Sequence, residues 1–283
     1  MTGRLATFRA LTRPVTLIPV FIIASAFGFA GAVSAHMYPD VPLILLAGAL
    51  LVVANGASNM VNEIGDQVED SVNPYKSARP VVSGAVDAMH ILSAVLVSWL
   101  VAVMVSVLFM PRMFTVLYIL IILFAFLYSY PPRLKKRFGI NYLAIATPRG
   151  ALGIAAAFVV QGSIYSHTLW FMLAVTAPFV FMANETRNID DREADLYAGV
   201  QTVSTLYGER AGRWLSLAGF VYPLPVILAT GLWVHFPYLF LLVLPTLFVS
   251  INIFRWPGRR LWVSFYGYFA LLALLLSLSV VFG

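Results

Sequence analysis

The sequence predicts an all-α integral membrane protein with about nine transmembrane helices. Of the 283 residues, 61% are hydrophobic and only 11% are charged, which is more apolar surface than a soluble core of this size can bury. Apolar stretches long enough, or nearly so, to cross about 30 Å of hydrocarbon recur along the whole chain. Basic residues gather after every second stretch, which indicates a multi-pass protein with one positively charged side.

The predicted spans run, in chain order, over residues 14–35, 42–65, 87–109, 114–130, 140–161, 167–186, 211–232, 238–254 and 262–282. Each is expected to be a helix, because a helix satisfies its backbone hydrogen bonds internally in lipid. Stretch 114–130 is short, so tilt or local bilayer thinning would have to accommodate it.

The basic residues predict the orientation of the chain in a cytoplasmic membrane. They precede the first span and follow the second, fourth, sixth and eighth, whereas the opposite side holds only Arg112. The N-terminus and the charged loops are therefore expected in the cytoplasm and the C-terminus outside. The net charge of +6 is then a topology signal, and no nucleic-acid partner is expected.

Two further features of the sequence limit its chemistry. The chain has no cysteine, which excludes disulfides and thiolate metal sites, and its four histidines are scattered without a pair at ligand spacing. No cleavable signal peptide is expected, because the first apolar stretch has no convincing small-residue cleavage site.

Two acidic octets, 125 residues apart, contain eight of the twelve acidic residues. The first covers 63–70 and the second 188–195, and each contains Asp-x-x-x-Asp with an isoleucine two places before its first aspartate. The offset predicts two weakly related halves, about 1–139 and 140–283, within a single transmembrane domain of 1–283. Such a concentration of carboxylates in an apolar chain predicts two facing clusters and hence a cation site.

The spacing of the motifs supports that interpretation. Residues four apart lie on one face of a helix, so Asn62, Asp66 and Asp70 form a polar ridge, which Asn59 extends, and Asp191 and Asp195 form another. Oxygen ligands without histidine or cysteine favour Mg²⁺, or Mn²⁺, and suit a Mg²⁺-bound diphosphate. Solvated helix ends are the alternative, but acids there oppose the helix dipole and repel each other.

Basic residues follow the first octet closely. Lys76 and Arg79 have the charge needed to neutralise phosphate oxygens, although an ordinary positive-inside role remains an equal alternative for both. The basic run at 131–137 is a weaker signal, because many membrane proteins carry such a run.

Taken together, these motifs resemble the UbiA superfamily of intramembrane prenyltransferases. The family's N-D-x-x-D-x-x-x-D and D-x-x-x-D motifs correspond to 62–70 and 191–195. Its R-P-x-x-S-G, Y-S-x-P-P-x-R-L-K and G-x-x-T segments are similar to 79–84, 128–135 and 199–202, and its opening resembles Thr12-Arg13-Pro14. These segments occur in order and at compatible spacing.

The resemblance implies helices around a central cavity and a set of site residues. Mg²⁺ would be held by Asn62, Asp66, Asp70, Asp191 and Asp195, and the four aspartates would carry the reaction. The charge of a prenyl diphosphate donor would be shared by Lys76, Arg79, Lys135 and Arg13. The cavity that receives the prenyl chain and a lipophilic acceptor would include Asn59, Tyr128 and Arg149.

The chain departs from the family pattern at Glu63, where aspartate is usual, and at Asn188, where many members have a further aspartate. Both departures bear on metal preference. Arg149-Gly150 resembles the arginine-glycine of homogentisate-type members, which favours an aromatic, quinone-precursor-like acceptor.

Other functions remain open at this point. Geranylgeranyl transfer to a glycerol phosphate ether and phosphoribosyl transfer to a polyprenyl phosphate are the enzymatic alternatives. An ion-coupled transporter is the non-enzyme alternative, although its site should lie near the membrane midplane rather than at helix ends. The oligomeric state and the donor's chain length are left open.

Overall fold

A computed structural model describes residues 7, 9–72, 77–231 and 236–282, and within these ranges the chain is helical without a strand. The α-helices are α1 (Pro14–Ser34), α2 (Val41–Gly65), α3 (Gln67–Ser71), α4 (Ala88–Phe109), α5 (Arg112–Ser129), α6 (Ile140–Ala146), α7 (Gly153–Phe158), α8 (His167–Ala183), α9 (Glu185–Tyr197), α10 (Val203–Tyr207), α11 (Glu209–Val221), α12 (Pro223–Ala229), α13 (Val243–Asn252) and α14 (Gly258–Val281). Shorter 3₁₀ segments cover Leu134–Lys136 and Pro237–Leu242, and a π-helical turn covers Thr147–Leu152.

The predicted all-α membrane fold is confirmed, but the count of nine spans is approximate. Seven helical segments in the described ranges are long and apolar enough to cross a membrane, with α8 and α9 together forming one of them and α11 and α12 another. The other two predicted spans differ. Span 140–161 is divided into α6, the π-helical turn and α7, and span 238–254 is a shorter apolar helix, Tyr238–Asn252.

Several helices begin where a side chain satisfies free backbone N–H groups. Asp40 accepts a hydrogen bond from the Leu43 amide at 3.0 Å at the start of α2. Asp87 accepts from the Met89 and His90 amides at 2.8 and 3.0 Å at the start of α4, and these bonds lower the pKa of its carboxyl group. Such caps determine the residue at which each helix begins, because the apolar residues that follow do not specify a starting point by themselves.

The core joins the two halves of the chain around α1, which packs against both α2 and α14. Its largest fully buried side chains are aromatic and include Phe27, Phe114, Phe158, Phe179 and Phe220. At Gly65, the last residue of α2, a Cβ atom would lie 2.9 Å from the Ser129 carbonyl oxygen at the end of α5. Glycine therefore allows these two helix ends to meet, and the acidic residue that follows, Asp66, lies beside that junction.

Candidate active site

Two adjoining cavities lie inside the helical bundle. One is polar, and its wall includes Asp66, Asp70, Asp191 and Asp195. The other is mainly apolar. Both are lined by Asn62, Tyr128, Ile145 and Arg187. The arrangement places a charged compartment directly beside an apolar one.

The first acidic ridge keeps its helical spacing although the helix is interrupted. Between α2 and α3, the Asp66 amide donates to the Asn62 carbonyl at 2.8 Å, and the Asp70 amide donates to the Asp66 carbonyl at 2.7 Å. The Asn62 side-chain amide donates to the Asp66 carboxylate at 2.5 Å. These bonds direct all three side chains to one cavity, as the four-residue spacing predicts.

The second ridge lies on α9, which is held in place by a fully buried acid at its first residue. The Glu185 carboxylate accepts hydrogen bonds from the Tyr142 hydroxyl and the Asn188 amide, each at 2.6 Å, and from the Ser204 backbone N–H at 2.7 Å. Glu185 therefore ties α9 to α6 and to the first turn of α10. Asp191 and Asp195, farther along α9, line the polar cavity.

The first-motif aspartates are ion-paired with basic side chains. Lys135 pairs with Asp66 and Arg79 pairs with Asp70, and the Arg187 guanidinium lies 4.0 Å from Asp66. Burial, together with the nearby Arg187 and Lys136 cations, lowers the pKa of Lys135, whereas Asp195 opposes that shift. The cavity wall thus brings carboxylates and cations together, with Lys135 and Arg187 beside the four aspartates.

Arg13 lies next to this charged region, although it is not among the described residues that line either cavity. Burial, with further repulsion from Arg79 and Arg187, lowers the pKa of its guanidinium to about 9. Its backbone is in the left-handed region at φ 53°, a conformation that non-glycine residues rarely adopt.

The three predicted cavity residues, Asn59, Tyr128 and Arg149, all line the apolar cavity. Asn59 is held by two bonds of 3.0 Å, to the Thr12 carbonyl and to the Thr16 hydroxyl. Arg149 lies in the π-helical turn and donates to the Tyr266 hydroxyl at 3.1 Å. Tyr128 lines both cavities and therefore stands at their junction.

Lys76 lies outside the described residues, so its predicted role stays a prediction. In the part of the chain that is described, no three acidic or histidine side chains come close enough together to form a ready metal site. The four aspartates share one cavity wall.

Sequence reasoning did not assign Asn184 or Arg187 to the site. Both line the polar cavity, and Asn184 is 1% exposed, with neither its amide nitrogen nor its amide oxygen hydrogen-bonded to any described residue. The signal was present in the spacing, because 184, 188, 191 and 195 recur at the intervals of one helical face. Asn184 carries no charge, and Arg187 lies near a membrane end, where basic residues are common. Neither residue type therefore indicated a binding site.

Comparison with known proteins gives consistent matches. The profile of the UbiA prenyltransferase family matches residues 17–279. A 4-hydroxybenzoate octaprenyltransferase of Francisella tularensis subsp. novicida is 26% identical over 241 residues, which is 84% of this chain and 82% of that protein. A digeranylgeranylglyceryl phosphate synthase of Natronomonas pharaonis is 28% identical over 221 residues, or 76% of each chain.

The fold has solved counterparts as well. A UbiA homolog from Archaeoglobus fulgidus, bound to GPP and Mg²⁺, superposes with a TM-score of 0.70 over 97% of this chain and 99% of that chain, at 16% identity. The apo structure of a UbiA homolog from Aeropyrum pernix K1 gives a TM-score of 0.67 at 19% identity, over 92% of this chain and 96% of that one.

Proposed function

The chain belongs to the UbiA prenyltransferase family, and we propose that it moves an isoprenyl group from a prenyl diphosphate to an aromatic, quinone-precursor-like acceptor with the help of Mg²⁺. The observation that carries this proposal is the pairing of the two cavities: four aspartates and several cations line one, and apolar side chains dominate the other. A prenyl diphosphate has the same two parts, a charged head and an apolar tail.

The residues of the polar cavity fit a magnesium ion. Mg²⁺ prefers oxygen ligands and commonly takes one or two carboxylates together with phosphate oxygens. The cavity wall offers carboxylates and the amide oxygen of Asn62, and the buried Asn184 amide has no partner among the described residues. The Archaeoglobus fulgidus homologs bound to Mg²⁺ with DMAPP or with GPP support this choice of metal and donor.

In the proposed site, Asn62, Asp66, Asp70, Asp191 and Asp195 hold the metal. A bound Mg²⁺ neutralises negative charge on the diphosphate leaving group. Lys135 and Arg79 already lie against the first-motif aspartates, so they are placed to bind diphosphate oxygens when the head group arrives. Arg13 and Lys76 are proposed to contribute positive charge from positions nearby.

The reaction needs charge stabilisation that grows as the bond to the leaving group breaks. The cations of the polar cavity provide it, because negative charge on the diphosphate increases towards the transition state. The apolar cavity keeps water from the allylic carbocation. Tyr128, which lines both cavities, presents an aromatic ring near the place where that cation forms.

The acceptor is proposed from the lining of the apolar cavity. Arg149 is partly buried in the π-helical turn of the predicted span 140–161, and among the described residues its hydrogen-bond partner is a tyrosine hydroxyl rather than a carboxylate. Intramembrane arginine is costly and usually functional. We propose that Arg149 orients a polar or acidic substituent of an aromatic acceptor, in line with the similarity to the Francisella 4-hydroxybenzoate enzyme.

A second acceptor class is favoured by the other relative. The Natronomonas protein is named for synthesis of digeranylgeranylglyceryl phosphate, and its identity of 28% is close to that of the aromatic-acceptor relative. Geranylgeranyl transfer to a glycerol phosphate ether is therefore the second candidate.

The membrane and its sidedness belong to the same proposal. We place the protein in the cytoplasmic membrane with its N-terminus and active-site loops in the cytoplasm, because the loops with most arginine and lysine lie on the side of the acidic motifs.

The experiment that tests the function is release of diphosphate from geranylgeranyl diphosphate by purified protein in lipid nanodiscs. Hydroxylated benzoates, homogentisate and geranylgeranylglyceryl phosphate are supplied in parallel, with an acceptor-free control. We expect Mg²⁺-dependent release with an aromatic acceptor. Release with only the glycerol phosphate ether would replace the aromatic assignment with the second candidate, and Mn²⁺ in place of Mg²⁺ tests the metal.

A further inference from the structure

Glu63 belongs to the first acidic motif but occupies a different face of α2 from Asn62. Successive residues on a helix are rotated by about 100°, so neighbours in sequence do not share a face. Glu63 is 0% exposed and is not among the described residues that line either cavity. Its carboxylate therefore serves a purpose other than forming the cavity wall.

One Glu63 carboxylate oxygen faces the turn that follows the first motif. It accepts a long hydrogen bond of 3.5 Å from the backbone N–H of Val81, whose side chain is itself buried in an apolar cluster. The other oxygen, Oε2, is buried without a hydrogen-bond partner among the described residues. A buried carboxylate in this state needs compensation from nearby positive charge.

The turn is compact and carries Arg79 at its start. The Ser83 N–H donates to the Arg79 carbonyl at 2.9 Å and the Val86 N–H donates to the Pro80 carbonyl at 3.1 Å, so residues 79–86 form one hydrogen-bonded turn. Arg79 is ion-paired with Asp70 across the first motif. The hydrogen bond from the Val81 N–H to Glu63, which we call the tether, holds this turn in place. It therefore positions the backbone from which the Arg79 side chain reaches Asp70.

We infer that Glu63 is a positioning residue: its buried carboxylate holds the turn 79–86 and so places Arg79 against the first motif without binding metal. The role of Arg79 towards diphosphate rests on the proposed function. The tether itself does not depend on any ligand.

The test compares Glu63→Gln, which keeps an acceptor oxygen but removes the charge, with Glu63→Leu, which removes both. Glu193→Gln, a change at an exposed acid of the second octet, is the control. We expect kcat/KM for the donor to fall about tenfold in Glu63→Leu and to stay near the parent value in Glu63→Gln, because only leucine removes the acceptor that holds the turn carrying Arg79. Hydrogen exchange in residues 77–86 should rise in Glu63→Leu and stay near the parent value in Glu63→Gln.

Metal affinity separates positioning from ligation. Mn²⁺ binding in the presence of inorganic pyrophosphate should be unchanged within about twofold in Glu63→Gln and fall at least about tenfold in Asp66→Asn. An equal fall in both would make Glu63 a ligand and overturn the inference, as would unchanged kcat/KM for the donor in Glu63→Leu. If Glu63→Leu does not fold, the Gln variant decides. Absence of donor turnover in the unmodified protein would instead refute the proposed function, and hydrogen exchange would still test the tether.

Discussion

At the junction of α8 and α9, Asn184 brings a buried amide with no partner among the described residues into the polar cavity. An amide oxygen needs a donor or a cation, and an amide nitrogen needs an acceptor. A Mg²⁺-bound diphosphate offers both. We therefore expect Asn184 to contribute to binding of the head group.

Substitution of Asn184 by leucine tests this expectation, because leucine has a similar volume without polar atoms. Removing a buried polar group that lacks partners should not lower thermal stability. Mg²⁺-dependent binding of an unreactive geranylgeranyl thiolodiphosphate should weaken at least about tenfold, the equivalent of one lost hydrogen bond to a charged group. Asn252→Leu, on α13, is the control. Loss of stability without loss of binding would assign Asn184 a structural role.

Within the two octets, the sequence predicted which side chains share a face but not every contact that they make. Spacing was sufficient to predict that Asp66, Asp70, Asp191 and Asp195 share one site wall, because helical periodicity determines the face of a side chain. Spacing also left Glu63 and Asp190 outside those ridges, but it could not identify what their carboxylates contact. Those contacts depend on which turn or helix end packs nearby, which is a tertiary contact.

At the scale of elements, Asp190 links α9 to the last helix. Its carboxylate accepts hydrogen bonds from the backbone N–H groups of Gly258, at 2.8 Å, and Arg259, at 2.5 Å, at the start of α14. A residue next to Asp191 in sequence therefore caps a neighbouring helix, while Asp191 lines the cavity.

We expect Asp190→Ala to lower stability by about 1 kcal/mol, the usual effect of losing a helix cap, and to leave Mg²⁺-dependent donor binding within about threefold. Thermal unfolding and donor-analogue binding in the same detergent measure the two effects. Asp190→Asn, which keeps an acceptor oxygen, should lose less stability. If Asp190→Ala lost donor binding while its thermal unfolding stayed unchanged, Asp190 would belong to the binding site. That result would contradict its assignment as a helix cap beside the cavity-lining Asp191.

The elements themselves were predicted best where the apolar run is long and uninterrupted. Span 140–161 was expected as one helix, because hydropathy averages over a window and does not register a local change of helix type. The structure has a π-helical turn there that includes Pro148, which lacks a backbone N–H and disrupts the regular hydrogen-bond ladder. That turn carries Arg149, which lines the apolar cavity.

At the scale of the whole molecule, the account depends on two motifs from distant parts of the chain meeting beside one apolar cavity. Topology made this predictable, since both octets follow even-numbered spans and so emerge on the same side. The ion pairs of Lys135 and Arg79 with the first-motif aspartates were not predictable, because they depend on how loops fold over the helix ends. The division into two related halves remains a prediction.

The most direct test of the central claim is Mg²⁺-dependent release of diphosphate from geranylgeranyl diphosphate by Asp66→Ala and Asp191→Ala, one aspartate from each motif. Glu193→Gln serves as the control for loss of an exposed acid. The account predicts release at background level in both alanine variants and undiminished release in the control, since both motifs are required to hold the metal. Retained turnover in either alanine variant would contradict the assignment of the two aspartate ridges to one metal-diphosphate site.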